Sequence, residues 1–135
     1  MSLPKQIDHL GIAVESLERA AGFYRDVLGL KPEGPEEVAD QQVRLMFFRL
    51  GEVRIELLEP TAADSPIARF LQKRGPGLHH VAYRVADLPA ALRELAAAGV
   101  PLIDDRPRQG AGGMQIAFIH PRATGGVLTE LCQRL

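Results

Sequence analysis

The chain has 135 residues, of which 46% are apolar and 24% charged, and its formal net charge at pH 7 is −1. This length supplies one ordinary hydrophobic core, and the near-average composition argues against disorder. Nucleic-acid and membrane-surface proteins carry a basic excess, so the balanced charge excludes both kinds of partner. A single cysteine, Cys132, excludes an internal disulfide framework. Because the first residues lack a signal-peptide layout and no apolar run approaches about 20 residues, we expect a soluble cytoplasmic domain.

The first half of the chain predicts a small α+β unit. Ser16 is a suitable N-cap for its helix, and Gly29 is a suitable residue to end it. The proline and glycine residues at 32–35 predict a loop. The predicted elements are, in order, a strand at 6–14, a helix at 17–28, and strands at 42–49 and 53–59 joined by a short hairpin turn.

The second half predicts the same kind of unit after a connector. A short helix in the connector is capped by Asp64 or Ser65, and Pro66 stands in its first turn. Asp87 caps the next helix and Gly99 ends it. The remaining predicted elements are a strand from residue 77 to 85, an edge strand at 100–104, a flexible loop at 106–113, and a closing hairpin of strands at 114–119 and 126–133.

Internal repetition is the strongest architectural signal in the sequence. His9 and His80 are 71 positions apart, and so are Val14 and Val85, when the two first strands are laid over each other. Each half is therefore predicted as a βαβββ unit. We expect one domain over residues 1–135, with a first module at about 6–60, a connector helix at about 61–76 and a second module at about 77–135.

The repeat also carries candidate metal ligands. Glu56 and Glu130 stand on the last strand of each half, 74 positions apart, which nearly matches the spacing of the histidines His9 and His80. A lone histidine or glutamate on a strand is most often structural, but such a residue has no reason to recur at matching register. If a two-fold relates the halves, the four side chains converge. Two imidazoles and two carboxylates suit a divalent metal.

Other polar residues favour structural roles. His79 faces away from His80, which indicates packing or a hydrogen bond to a ligand, and His120 before a proline indicates a structural position at a strand end. The glycines at 110–113 lack the strand-to-helix setting of a phosphate-binding loop and indicate a mobile loop. Cys132 has no evident activating base, so it is not predicted to be a nucleophile.

Two further segments narrow the interpretation. The connector contains Asp64-Ser-Pro-Ile-Ala68, and the chain closes with His120-Pro121 followed by Gly126-Val-Leu-Thr-Glu-Leu131. Together with the repeated histidine strands, these segments resemble the vicinal oxygen chelate superfamily, and within it the methylmalonyl-CoA epimerases. The resemblance runs nearly end to end.

The resemblance implies a fold, a cofactor and partners. The fold is α+β, with two pseudo-two-fold-related βαβββ modules forming a curved mixed sheet around a metal site. The implied ligands are His9, Glu56, His80 and Glu130, and the implied cofactor is a divalent ion of cobalt, manganese, nickel, magnesium or zinc. An acyl-CoA substrate and a homodimer are also implied.

The implied activity is the metal-dependent interconversion of (R)- and (S)-methylmalonyl-CoA through an enolate, by removal and return of the α-proton. Glu130 is predicted as one catalytic base and Glu56 as the other. Some relatives have a carboxylate where this chain has Leu45, which leaves the second base open. The alternatives are a glyoxalase-type lyase or isomerase acting on a hemithioacetal, and a non-catalytic small-molecule (antibiotic) binding protein. An iron dioxygenase is disfavoured because Glu56 would be surplus.

Overall fold

A computed structural model of the protein describes residues 4–134, so Met1–Leu3 and Leu135 of the predicted domain lie outside the described residues. The chain divides into two compact units. The N-terminal unit is His9–His79, and the C-terminal unit is residues 80–134 with residues 4–8. The assignment of the whole chain to one domain, with the module bounds given above, stays a prediction.

The N-terminal unit is built from a mixed set of strands and two helices. Their bounds are β1 (Gln6–Ala13, of which the part from His9 belongs here), α1 (Leu17–Gly22), β2 (Pro32–Val38), β3 (Val43–Leu50), β4 (Val53–Pro60) and α2 (Pro66–Arg74). The strand order is β2-β3-β4-β1. β1 runs parallel to β4, whereas β3 is antiparallel to both β2 and β4. The predicted hairpin between β3 and β4 is confirmed.

Both helix starts follow from their capping side chains. The hydroxyl of Ser16 accepts a hydrogen bond from the backbone N–H of Arg19 at 3.3 Å, as predicted. Ser65, rather than Asp64, caps α2, and its hydroxyl accepts from the N–H groups of the next helix residues, at 3.1 Å in each case.

The helical segment ends where predicted, with Leu28 as its C-cap and Gly29 following at φ 70°, but its last part is not regular α-helix. Regular α-helix stops at Gly22 and continues as a π-helical turn over Phe23–Val27. Val27 and Leu28 are 70% and 52% exposed, so the apolar stripe expected to reach Leu28 does not pack against the core. The buried cluster of this unit is formed instead by Val14, Leu17, Ala21, Phe48 and Leu57.

The loop predicted at 32–35 is wrong, because this segment belongs to β2. The strand lies at the end of the order β2-β3-β4-β1, where a proline without an N–H leaves no ladder hydrogen bond unmade. Its register shifts between Glu33 and Glu36, which is where Pro35 stands. β2 supplies the strand that completes the predicted βαβββ order in this half.

The C-terminal unit repeats the pattern with shorter strands. Its elements are β5 (Gly77–Arg84, of which the part from His80 belongs here), α3 (Leu88–Ala97), β6 (Arg108–Gln109), β7 (Gln115–Ile119) and β8 (Thr129–Gln133). The strand order is β5-β8-β7-β6, with β5 parallel to β8 and the other pairs antiparallel. Asp87 caps α3 as predicted, accepting from the N–H of Ala90 at 3.0 Å.

Two strand predictions in this half need correction. The edge strand predicted at 100–104 is reduced to a single bridge between Leu102 and Ile119. The edge strand of the unit is β6, inside the predicted loop at 106–113. The last strand begins at Thr129 rather than at residue 126. The α+β class is nevertheless confirmed. Among the described residues, no helix is long and apolar enough to cross a membrane.

Candidate metal site

The N-terminal unit brings one histidine and one glutamate together. The parallel register of β1 and β4 places Gly11 opposite Glu56, and alternation along each strand puts His9 and Glu56 on the same face. The imidazole Nε2 of His9 lies 3.4 Å from Oε1 of Glu56. These residues are 1% and 5% exposed, so two ionisable groups are buried side by side.

The C-terminal unit contains the same arrangement. Glu130 on β8 lies opposite Ala82 of β5, two residues beyond His80 and on the same face. The imidazole Nε2 of His80 lies 3.5 Å from Oε1 of Glu130, and both residues are 4% exposed. Each unit therefore places its predicted histidine beside its predicted glutamate.

A phenylalanine ring lies against each histidine. The rings of His9 and Phe47 meet edge to face, with centroids 5.6 Å apart and planes at 75°. The rings of His80 and Phe118 meet in the same way, at 5.7 Å and 86°. Apolar rings beside a buried imidazole restrict its rotation and keep water from the polar pair.

The sequence interpretation did not include these two rings, although a signal for them exists. Phe47 and Phe118 are 71 positions apart, which is the spacing of the two histidines. Each also lies directly opposite the glutamate of its unit in an antiparallel pair, Phe47 across from Glu56 and Phe118 across from Glu130.

The distances within the two pairs fit a shared cation better than a direct ion pair. Charge-assisted hydrogen bonds between nitrogen and a carboxylate oxygen are about 2.7–2.9 Å long, whereas these pairs are separated by 3.4 and 3.5 Å. Ligand atoms about 2.0–2.2 Å from one tetrahedral ion lie roughly 3.3–3.6 Å from each other. Imidazole nitrogen and carboxylate oxygen are donors that divalent transition metals accept. The residues present in each unit therefore fit half of a metal-binding set.

Leu45, the position at which some relatives have a carboxylate, is apolar and buried. Leu45 is 2% exposed and lies opposite Leu58 on β4 and opposite Glu36 on β2. Its side chain can neither accept a proton nor bind an ion.

Residues expected to be structural have structural contacts. The ring of His79 packs edge to face against Phe70 at 5.1 Å. His120 is exposed and caps a short 3₁₀ turn, where its Nδ1 accepts from the N–H of Arg122 at 3.0 Å. Cys132 is fully buried, and burial raises the pKa of its thiol well above the ordinary value. A thiol of that kind is a poor nucleophile.

One buried carboxylate was not anticipated from the sequence. Asp8 is fully buried, and its Oδ1 accepts hydrogen bonds from Nε and Nη2 of Arg84, at 3.0 and 2.8 Å, and from Nε of Arg134, at 3.0 Å. Two guanidinium groups therefore compensate the charge of this buried carboxylate within the C-terminal unit.

Comparisons with known proteins cover most of the chain. Residues 8–118 match the family model described as Glyoxalase/Bleomycin resistance protein/Dioxygenase superfamily. A Bacillus subtilis relative, named an uncharacterized protein, YqjC, is 51% identical over 95% of this chain and 91% of its own. The ethylmalonyl-CoA/methylmalonyl-CoA epimerase of Cereibacter sphaeroides is 40% identical over 95% of this chain and 97% of its own.

A solved structure agrees with these relatives. The methylmalonyl-CoA epimerase of Streptomyces coelicolor, solved as a variant in complex with 2-nitronate-propionyl-CoA, superimposes with a TM-score of 0.93. It is 37% identical, and the comparison covers 97% of this chain and 95% of that one.

Proposed function

The chain belongs to the methylmalonyl-CoA epimerases of the Glyoxalase/Bleomycin resistance protein/Dioxygenase superfamily, and we propose on that premise that it interconverts (R)- and (S)-methylmalonyl-CoA with a divalent metal ion. As a member of this family it is an isomerase of the epimerase class. The observation that carries the metal-dependent part of the proposal is the buried histidine–glutamate pair present in each unit, at 3.4 and 3.5 Å.

The four paired residues would hold one ion between them: His9 and Glu56 from one unit, His80 and Glu130 from the other. Support comes from the identical donor types and from the matching separations in the two units. A bound divalent ion supplies Lewis acidity, which polarises a thioester carbonyl and stabilises developing negative charge by several kcal/mol.

The two glutamates would move the proton. Epimerisation removes the C–H between the thioester and the carboxylate and returns a proton to the opposite face of the planar intermediate. We assign Glu130 to one face and Glu56 to the other. A carboxylate has two oxygens, so one can hold the ion while the other accepts the proton. Since Leu45 cannot act as a base, Glu56 is the remaining candidate among the predicted residues.

Solvent deuterium exchange tests this assignment. With methylmalonyl-CoA in D₂O, we expect the parent protein to incorporate deuterium at the α-carbon, and added chelator to abolish the exchange. Glu130→Gln and Glu56→Gln should each slow exchange by roughly 10²–10⁴-fold, the usual contribution of a positioned base. Glu37→Gln, an exposed carboxylate on β2, serves as the matched control. Exchange at the parent rate in both active-site variants would refute the assignment.

The same donor set could serve a glyoxalase-type lyase, so glutathione hemithioacetal is the control substrate. If the protein converts the hemithioacetal but does not exchange the α-proton of methylmalonyl-CoA, the glyoxalase-type reaction replaces epimerisation as the proposed function. Absence of bound metal and of both activities would favour a binding protein. The homodimer and the cytoplasmic location stay predictions, the first of which light scattering of the purified protein can check.

A further inference from the structure

In the N-terminal unit an arginine, a phenylalanine and a histidine lie in contact one after another. The guanidinium carbon of Arg54 lies 3.8 Å from the centroid of the Phe47 ring, well inside the range of a cation–π contact. That ring meets the imidazole of His9 edge to face at 5.6 Å. Glu33 holds the guanidinium through Nη1 and Oε1, which are 3.6 Å apart. We name Arg54 and Phe47 the N-support.

The C-terminal unit has a counterpart made from different strand positions. The guanidinium carbon of Arg108 lies 5.5 Å from the centroid of the Phe118 ring, and that ring meets His80 edge to face at 5.7 Å. Asp104 holds this guanidinium through Oδ2 and Nε, 3.4 Å apart. We name Arg108 and Phe118 the C-support.

The two supports differ in how tightly they are held. The side chain of Arg54 is 10% exposed, whereas that of Arg108 is 44% exposed. A cation–π contact is stronger when it is shielded from water than at an exposed site. The longer distance in the C-support weakens its contact further.

The strands that carry the supports differ in the same direction. Phe47 lies on β3, which has β2 on one side and an eight-pair ladder with β4 on the other, and Arg54 is part of that ladder. Arg108 lies on β6, a strand of two residues joined to β7 by two pairs. Segments with few ladder contacts open locally at lower free energy, so Arg108 is the more mobile of the two arginines.

We propose that the N-support consists of positioning residues, which act on the metal by holding the imidazole of His9, and that the C-support, with its more distant and more exposed arginine, restrains the imidazole of His80 less. This inference rests on the proposed metal binding and deepens it. A metal-binding side chain that is already oriented correctly binds its ion more tightly. The N-support therefore governs the affinity of the protein for the ion.

Cobalt titration of the purified protein tests the difference between the supports. The dissociation constant is measured by calorimetry and by the visible absorption of bound Co²⁺ in Arg54→Gln and Arg108→Gln. We expect Arg54→Gln to weaken binding by roughly 10–100-fold, as loss of a contact behind a ligand does. Arg108→Gln should change it by less than about 3-fold. Removing a positive charge would by itself strengthen cation binding, so a loss cannot be a simple charge effect.

Phe47 has a matched control on the same strand, the neighbouring residue Phe48. Phe47→Leu should weaken Co²⁺ binding as Arg54→Gln does. Phe48→Leu removes a neighbouring buried ring, which stacks on Tyr24 rather than on a histidine, and should lower stability without changing the dissociation constant. Equal weakening in Phe47→Leu and Phe48→Leu would show a stability effect and overturn the positioning role. Equal weakening in Arg54→Gln and Arg108→Gln would overturn the asymmetry.

A measurement without metal separates this inference from the proposed function. In metal-free protein, nuclear Overhauser contacts between the His9 and Phe47 rings should weaken in Arg54→Gln and persist in the parent. Unchanged ring contacts together with unchanged Co²⁺ affinity would refute positioning, even if the parent epimerises its substrate. The expected affinity pattern in a parent that exchanges no α-proton would refute the epimerase and leave the positioning role standing. A parent that binds no Co²⁺ refutes the metal site, and the ring contacts then decide the positioning role alone.

Discussion

Asp8 and Glu130 are two carboxylates of the C-terminal unit that are buried in different ways. Asp8 accepts three hydrogen bonds from two arginines, so its charge is neutralised within the protein. Glu130 lies beside an imidazole, which carries no charge in its neutral form, at a distance longer than a charge-assisted hydrogen bond. The first carboxylate is paired with guanidinium groups, and the second lies at a separation from its imidazole that two ligands of one cation also have.

Cys132 allows a direct test of burial at the residue level. It is the only cysteine, it is fully buried, and burial raises the pKa of its thiol, so the reactive thiolate is scarce across pH 7–9. We expect iodoacetamide at pH 8 to alkylate the folded protein at least about 100-fold more slowly than the urea-unfolded protein, in which the ordinary pKa of about 8.5 applies. A folded-state rate within tenfold of the unfolded rate would contradict the burial described here.

Among individual residues, those that recur in both halves of the sequence with an unusual residue type could be predicted. The histidines and glutamates were found because polar residues on a strand are unusual and these recur at matching spacing. Phe47 and Phe118 recur at the same spacing of 71, yet a phenylalanine on a strand is ordinary core composition and carries no signal of its own. Contacts of the arginines with those rings depend on three-dimensional packing, which spacing alone does not give.

At the scale of elements, the strands rich in apolar residues were predicted, whereas the polar strands β2 and β6 were missed. β3 and β4 carry apolar residues over most of their length because both have neighbours on either side. β2 and β6 have one neighbour in their units, so their sequences hold prolines, glutamates or arginine without a buried face to maintain. Local sequence therefore predicted a loop at both places. The βαβββ repeat was the better predictor of strands there.

Gly110 tests the packing of the loop before β7. A Cβ at this position would lie 2.7 Å from Cγ2 of Ile116, which is buried and cannot move without disturbing the core. We expect Gly110→Ala to lower the free energy of unfolding by about 1–3 kcal/mol, as overpacking does. The same substitution at Gly22, where the backbone is helical and the nearest atom is 3.8 Å away, should raise it by about 0.5–1 kcal/mol.

Urea unfolding monitored by circular dichroism measures both changes. Opposite signs for the two glycines are expected. A neutral Gly110→Ala would mean that Ile116 yields more readily than its burial implies.

At the scale of the whole molecule, the vicinal oxygen chelate fold inferred from the repeat and the motifs is confirmed by the superposition on a methylmalonyl-CoA epimerase with a TM-score of 0.93. The reason is that a duplicated βαβββ unit with a histidine on its first strand and a glutamate on its last constrains both architecture and chemistry. The substrate constrains the sequence less, because the same four donors serve several reactions. The choice of methylmalonyl-CoA as the proposed substrate therefore rests on the family relationship and not on the four donor residues.

The proposal that both units bind one ion makes a prediction about coupling. Added Co²⁺ at about 100 times its dissociation constant should stabilise the folded protein by about 2.7 kcal/mol, and chelator should reverse the shift. If the ion is shared, His9→Asn and His80→Asn will each remove most of that stabilisation, and their effects will not add. His120→Asn, an exposed histidine, should keep the full shift. Elemental analysis should find one ion per chain. Two ions per chain, with each substitution removing about half of the shift, would mean that each unit binds its own metal and would refute a shared site.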